Sequence, residues 1–415
     1  MSAEGTSSSL LPELPPEIWL KIFRFATFIP READLSATTT EPGLFCSYDG
    51  LQSQAFEAIL PLRRTLVLVC RLFYQIGAEV LYTTFHANAE HHNYPDRRLL
   101  LFSDLLVSRP ELGRFVRRLS LRWSDGGEET NYRIISRCPN VMVFSSFIHP
   151  YDIGHVPWWS RGLPRTIRSF DADVFNVPIK DILGLLEMLP HLEILHLRYL
   201  QVAAPIPPAP AYLSALRILS VYTPHDDDVE ACIPVFLTIQ LPRLTALATN
   251  VGAADAQRSF PLEVWRRLEY FNSNHRSCMG LNSNYFHNLR SLYLAIGKRH
   301  NQHYLQCFPL RQLECLTLQI DSIWEPWLNP VMKLPLDAEA MPMLKLLQLV
   351  MGSHGVCYNY YRHRYLKEGK KRFIQYFESL VTGFEQRGVL FVETHKRKIC
   401  PGYQDIRSVL AECTR

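Results

Sequence analysis

The stretch Leu189-Pro190-His191-Leu192-Glu193-Ile194-Leu195-His196-Leu197-Arg198 decides the fold. Its apolar residues at 192, 195 and 197 follow a short pattern, apolar-x-x-apolar-x-(apolar or small). In an extended chain the second and third of them share one face. The pattern returns ten times from Val116 onward, as VRRLSL, VMVFSS, IRSFDA, LEILHL, LRILSV, LTALAT, LEYFNS, LRSLYL, LECLTL and LKLLQL. Its fourth positions are Leu119, Phe144, Phe170, Leu195, Leu219, Leu247, Phe271, Leu292, Leu316 and Leu347, at intervals of 25, 26, 25, 24, 28, 24, 21, 24 and 31. A chance apolar pattern does not hold a period that well. Pro139, Pro190, Pro242 and Pro342 stand just upstream of four units, and helix-like runs such as Asp181 to Met188 precede several. One helix and one short strand per repeat predicts parallel strands stacked side by side, with helices outside.

Composition fits a large folded domain with a small appendage. The 415 residues are 47% hydrophobic and 20% charged, with a net charge of +4. That balance is too weakly basic to imply nucleic acid by itself. Ten cysteines occur without a CxxC pair, and no Asn-x-Ser/Thr sequon is present. Both point to a reducing intracellular compartment, cytoplasmic or nuclear. The start, MSAEGTSSSLLPELPPE, lacks the basic and apolar regions of a signal peptide. Four prolines interrupt the uncharged stretch Tyr199 to Leu216, so no membrane helix is expected there.

Ahead of the repeats stands a different kind of sequence. Residues 1–11 are expected to be disordered. Then comes Leu14-Pro15-Pro16-Glu17-Ile18-Trp19-Leu20-Lys21-Ile22-Phe23, with prolines suited to a first helical turn and Glu17 suited to its positive end. Ile18, Ile22 and Phe25 recur at helical spacing, with Trp19, Phe23 and Ala26 beside them. The helix is therefore apolar on most of its surface. One face is expected to pack within the chain, leaving another for a partner. A second apolar block, Leu62 to Tyr74 continuing through Tyr82, predicts two helices over 62–70 and 71–83. Between the blocks an excursion of about 30 residues, Arg31 to Leu60, is expected to carry its own helix at 52–59.

LPPEIWLKIF followed by LVLVCRLFYQIG resembles the F-box, a small helical module that docks on the Skp-type adaptor of SCF ubiquitin ligases. The resemblance implies adaptor contact by Leu14, Pro15, Ile18, Ile22, Leu68, Val69, Cys70 and Phe73. For Cys70 a buried apolar cysteine is the plainer alternative to a reactive one. The ten strand units resemble degenerate leucine-rich repeats, lacking most of the N/C-x-L that follows the strand in that family. Together these give an expected α/β architecture: an F-box-like helical module over 12–88, with an insertion at about 31–60. A leucine-rich-repeat-like solenoid over 89–415 follows, with parallel strands on its concave face and a cap at about 370–396. The resemblance implies a non-catalytic substrate receptor of a cullin-RING ligase, with a protein substrate on the repeats. The alternatives are a plain repeat scaffold, with the N-terminal helices as its cap, and a nucleic-acid binder.

Residues flanking the inward leucines are expected on the concave face. Those marked for substrate contact are Arg122, Phe147, Asp173, His196, Arg198, Tyr222, Asn250, Tyr270, Asn274, Tyr293 and Gln319. Tyr and Arg among them are frequent interface anchors. Tyr360 and Arg362 join them from Tyr358 to Arg372, where basic and aromatic residues interleave. That segment suits helix packing on the last repeat, a protein partner, or stacked bases with phosphates.

No GxSxG, HExxH, GxxxxGK[ST] or GxGxxG pattern occurs. Asp226-Asp227-Asp228 reads as a solvated loop or helix start rather than a cation site, because ligands normally alternate along a loop. His354, Cys357, His363 and Cys400 match no zinc spacing. No cofactor is expected.

Overall fold

A computed structural model describes residues 14–27, 48–87, 97–122, 128–147, 162–174, 179–198, 211–222, 239–249, 260–273, 283–296, 310–320, 341–351, 382–383 and 385–395. They fall into two compact units, divided after Phe147 except that 162–167 belongs to the first.

The first unit opens with helix α1 (Pro16–Ala26), α2 (Tyr48–Leu68) and α3 (Arg71–Tyr82). The two short helices expected at 52–59 and 62–70 are one continuous α2. Pro61 removes one helical donor, which ordinarily breaks a helix. The helix runs through because Phe56, Arg63 and Val67, at i, i+7 and i+11, all bury on one face. The part of the excursion before Tyr48 lies outside the described residues. Cys70, in extended backbone, separates α2 from α3, and its Sγ accepts from Phe73 N at 3.5 Å as the cap of α3.

α1 and α3 close around aromatic rings. Phe73 sits 4.8 Å from Phe23, edge-on, and 5.0 Å from Trp19. Leu20, Leu66, Ile76 and Val80 complete the cluster. The buried Arg63 donates to the carbonyl of Thr27 at 3.1 Å, tying α2 to the end of α1. Arg24 pairs with Glu79 across α1 and α3.

Strand β1 (Thr84–His86), helix α4 (Arg97–Ser108), β2 (Arg118–Arg122), α5 (Glu128–Arg137) and β3 (Val143–Phe147) follow, with β1, β2 and β3 parallel in that order. Beyond α3 the unit thus continues with three parallel strands and two further helices. In the 3-10 turn Pro110–Phe115, a Cβ on Gly113 would stand 2.0 Å from the Arg137 carbonyl oxygen. Backbone cannot yield as a side chain does. Gly113→Ala is expected to cost at least about 1–3 kcal/mol, read as a lowered denaturant midpoint at unchanged slope.

In the second unit the strands are β4 (Ser169–Asp173), β5 (Ile194–Arg198), β7 (Ile218–Val221), β9 (Ala246–Thr249), β10 (Tyr270–Ser273), β11 (Ser291–Ile296), β12 (Cys315–Ile320), β13 (Leu346–Met351) and β14 (Leu390–His395). They form one ladder in that order, every pairing parallel. Short strands β6 (Ala211–Tyr212) and β8 (Ile239–Gln240) pair separately. Helices α6 (Ile179–Glu187) and α7 (Leu262–Arg267) occupy two crossovers. This is a leucine-rich-repeat-like α/β solenoid. All ten predicted fourth positions lie in strands of the two units. The final strand is β14, entered through Gly388 at φ 73°. The helix expected over 373–385 lies largely outside the described residues.

The repeat has a fixed backbone signature. The residue before each strand offers its carbonyl to two successive N–H groups of the next repeat. Glu193 and Ile194 donate to Arg168, Arg217 and Ile218 to Glu193, and Thr245 and Ala246 to Arg217. The pattern continues to Lys345 and Leu346 donating to Glu314. Two lone pairs let one carbonyl serve both donors.

The side chains at that position are Arg168, Glu193, Arg217, Thr245, Glu269, Arg290, Glu314 and Lys345, so neighbouring charges alternate in sign. Arg168 lies 3.5 Å from Glu193, and Lys345 lies 2.8 Å from Glu314. The Lys345 hydrogen bond holds the Glu314 carboxyl below its usual range, helped by the charges of Lys345 and Arg290.

Trp265 on α7 is wholly buried, 5.3 Å from Phe271 and 5.5 Å from Phe286. Cys138, buried after α5, has its thiol pushed up to about 12 by burial. Thiolate is the reactive form. Cys138 is therefore expected to resist alkylation at pH 8 until the chain is unfolded, as peptide mass mapping would report.

Candidate functional site

The N-terminal module turns much of its apolar surface outward. With Trp19, Leu20 and Phe23 committed to α3, the other side of α1 leaves Ile18 38% exposed, Ile22 41% and Phe25 88%. Leu14 and Pro15 are exposed ahead of the helix. At the α2–α3 corner Leu68 is 81% exposed and Val69 55%, with Leu62 and Leu72 exposed nearby. Most solvent-facing helices carry polar side chains there, so a concentration of aliphatic groups is the mark of a binding surface.

Six of the eight residues implied for adaptor contact are on this surface: Leu14, Pro15, Ile18, Ile22, Leu68 and Val69. Cys70 is half-buried as the cap of α3. Phe73 needs correction, because its ring is only 7% exposed and serves the module's own core. Its place next to exposed Leu72 disguised that in the sequence. Leu62 and Leu72 are exposed here too, as is Phe25, which helical spacing set beside Ile18 and Ile22 but which the resemblance did not include. Phe25 follows Ile18 by seven residues, which puts it on the same helical stripe.

The sheet face expected to be concave has a different character. Cross-strand register aligns Asp171, His196, Ser220, Ala248, Asn272, Tyr293 and Thr317 in one row. Of these Asp171, Ser220, Ala248, Asn272, Tyr293 and Thr317 are buried, as are Ser169, Asp173 and Tyr270 beside them. The expectation that Asp173, Tyr270 and Tyr293 stand open to a substrate is thus corrected. These strands bury both faces, as parallel sheets commonly do. His196, Arg198 and Tyr222 remain half-buried. Arg198 bridges two carboxylates, its Nη2 3.2 Å from Asp171 and its Nε 3.0 Å from Asp173. A guanidinium spanning two acids offsets the cost of burying them.

Arg122, Phe147 and Gln319 stand on β2, β3 and β12. Asn250, Asn274, Tyr360 and Arg362 lie outside the described residues, as do Asp226 to Asp228 and the whole Tyr358–Arg372 segment. Among the described residues, no group of three or more His, Cys, Asp or Glu is arranged to hold a metal ion. No helix among them is long and apolar enough to cross a membrane.

No protein-family model matches the chain, and no curated protein matches it. Among solved structures it is similar to the Rad7 and Elc1 complex in yeast, at 14% identity, over 74% of this chain and 92% of that chain. The TM-score is 0.26, too low for that likeness to carry an argument.

Proposed function

We propose that this chain is a non-catalytic substrate-recognition subunit of an SCF-type cullin-RING ubiquitin ligase. The N-terminal module docks a Skp-type adaptor, and the repeat domain holds a protein substrate. Holding the substrate near the charged conjugating enzyme raises the effective concentration of its acceptor lysines, so no residue of this chain need make or break a bond. Such an assembly works inside the cell, in cytoplasm or nucleus.

One observation carries the reading: the exposed apolar surface of Leu14, Ile18, Ile22, Phe25, Leu68 and Val69 on a module with the LPPEIWLKIF and LVLVCRLF motifs. A helical cap for the repeats would bury Leu14, Ile18 and Ile22 against the chain, and their exposure weighs against the plain scaffold. Capture of a purified Skp-type adaptor by the full chain tests the proposal. The wild type is expected to retain it, and a variant carrying Pro15→Asp and Ile18→Asp to lose it. Equal recovery by both, or none by the wild type, would sink the reading.

A further inference from the structure

The charges around the exposed aliphatic surface are uneven. Lys21 flanks the stripe of Ile18 and Ile22 on α1. Arg64 is one helical turn before Leu68, and Arg71 opens α3 beside Leu72. All three are exposed and make no ion pair with another described residue. Arg24, by contrast, is held by Glu79, and Arg63 is buried against Thr27. Glu17 is the one exposed acid on α1. Among the described residues, three uncommitted cations against one anion give the rim of an apolar surface a positive field.

We infer that the partner face docked here is apolar at its centre and acidic at its rim, with Lys21, Arg64 and Arg71 steering its approach. This rests on the adaptor-docking reading above. Apolar contact holds the complex once formed; rim charges act earlier, on diffusional encounter, so they set the association rate and its salt dependence more than the dissociation rate. Three basic groups beside six or more exposed aliphatic side chains suit a folded protein surface better than an acidic lipid surface, which calls for a denser basic cluster.

The test is the association kinetics of the full chain with a purified Skp-type adaptor at about 20 mM and about 500 mM salt, where screening lengths differ several-fold. For the wild type the association rate should fall at least about tenfold with salt. The variant K21E/R64E/R71E should associate at least about tenfold more slowly at low salt, with dissociation changed less than about threefold. Since all three side chains are exposed, thermal unfolding of the variant should match the wild type. Wild-type association that ignores salt, together with a variant that matches it, overturns the rim assignment and leaves adaptor docking standing. No adaptor binding by the wild type at either salt overturns both. Retention on phosphatidylserine vesicles without adaptor binding assigns the surface to a membrane and also overturns the proposal.

Discussion

Changing Ile18 and Ile22 together to aspartate is expected to weaken capture of a Skp-type adaptor by on the order of a hundredfold or more, with little change in stability. Both side chains project from the same stripe of α1, one turn apart, and neither enters the Phe23–Phe73 cluster. Central apolar residues of an interface commonly cost about 2 kcal/mol or more each when removed. Placing carboxylates there also leaves them desolvated against an apolar partner. In the free chain both positions reach water, where substitutions usually cost within about 0.5 kcal/mol each. Calorimetric titration against the adaptor and a denaturant melt of the same sample separate the two quantities. A large fall in stability would mean that this face packs inside the protein, contrary to its exposure.

The opposite pattern is expected for Phe73→Ala. Its ring touches both Trp19 and Phe23 and stands at the centre of the cluster between α1 and α3. Truncating a buried phenylalanine costs about 3–5 kcal/mol. In a small module that is a large share of the whole stability. α1 and α3 should lose amide-exchange protection while the second unit's strands keep theirs. Adaptor capture should fall with the loss of structure, and Phe73→Leu should restore much of both. If Phe73→Ala weakened capture without changing exchange in α1 or α3, the ring would belong to the docking surface after all.

The repeat strands were legible because their pattern restates itself. A leucine spacing is ambiguous once, but ten occurrences at one period leave a single architecture, and Leu195, Leu219 and Leu247 fall opposite one another in three successive strands as the period requires. The exposed apolar surface of the N-terminal module was half legible. Ile18 and Ile22 follow from helical spacing, whereas Phe73 and Leu72 are neighbours whose different fates depend on where α1 crosses α3. No local pattern encodes that crossing. α2 was misjudged at Pro61, because burial of Phe56, Arg63 and Val67 along one face outweighs one absent hydrogen bond. The expectation that Asp173, Tyr270 and Tyr293 stand open failed for a related reason. Period-two alternation separates the two faces of a strand but does not say whether the second faces water, so Asp173 and Tyr270 could be assigned a face and not an exposure.

The alternating charges ahead of the strands work as a parity check on the number of repeats. Excising the repeat that begins at Glu314 would bring Arg290 beside Lys345, two cations at one register position. Excising the repeats of Arg290 and Glu314 together would bring Glu269 beside Lys345 and keep opposite signs in contact. Each like-sign meeting is worth only a few tenths of a kcal/mol to about 1 kcal/mol. Within the run from Glu269 to Lys345, gains and losses of repeats should therefore be tolerated better in twos than singly, a bias written in charge rather than in the leucines that build the core.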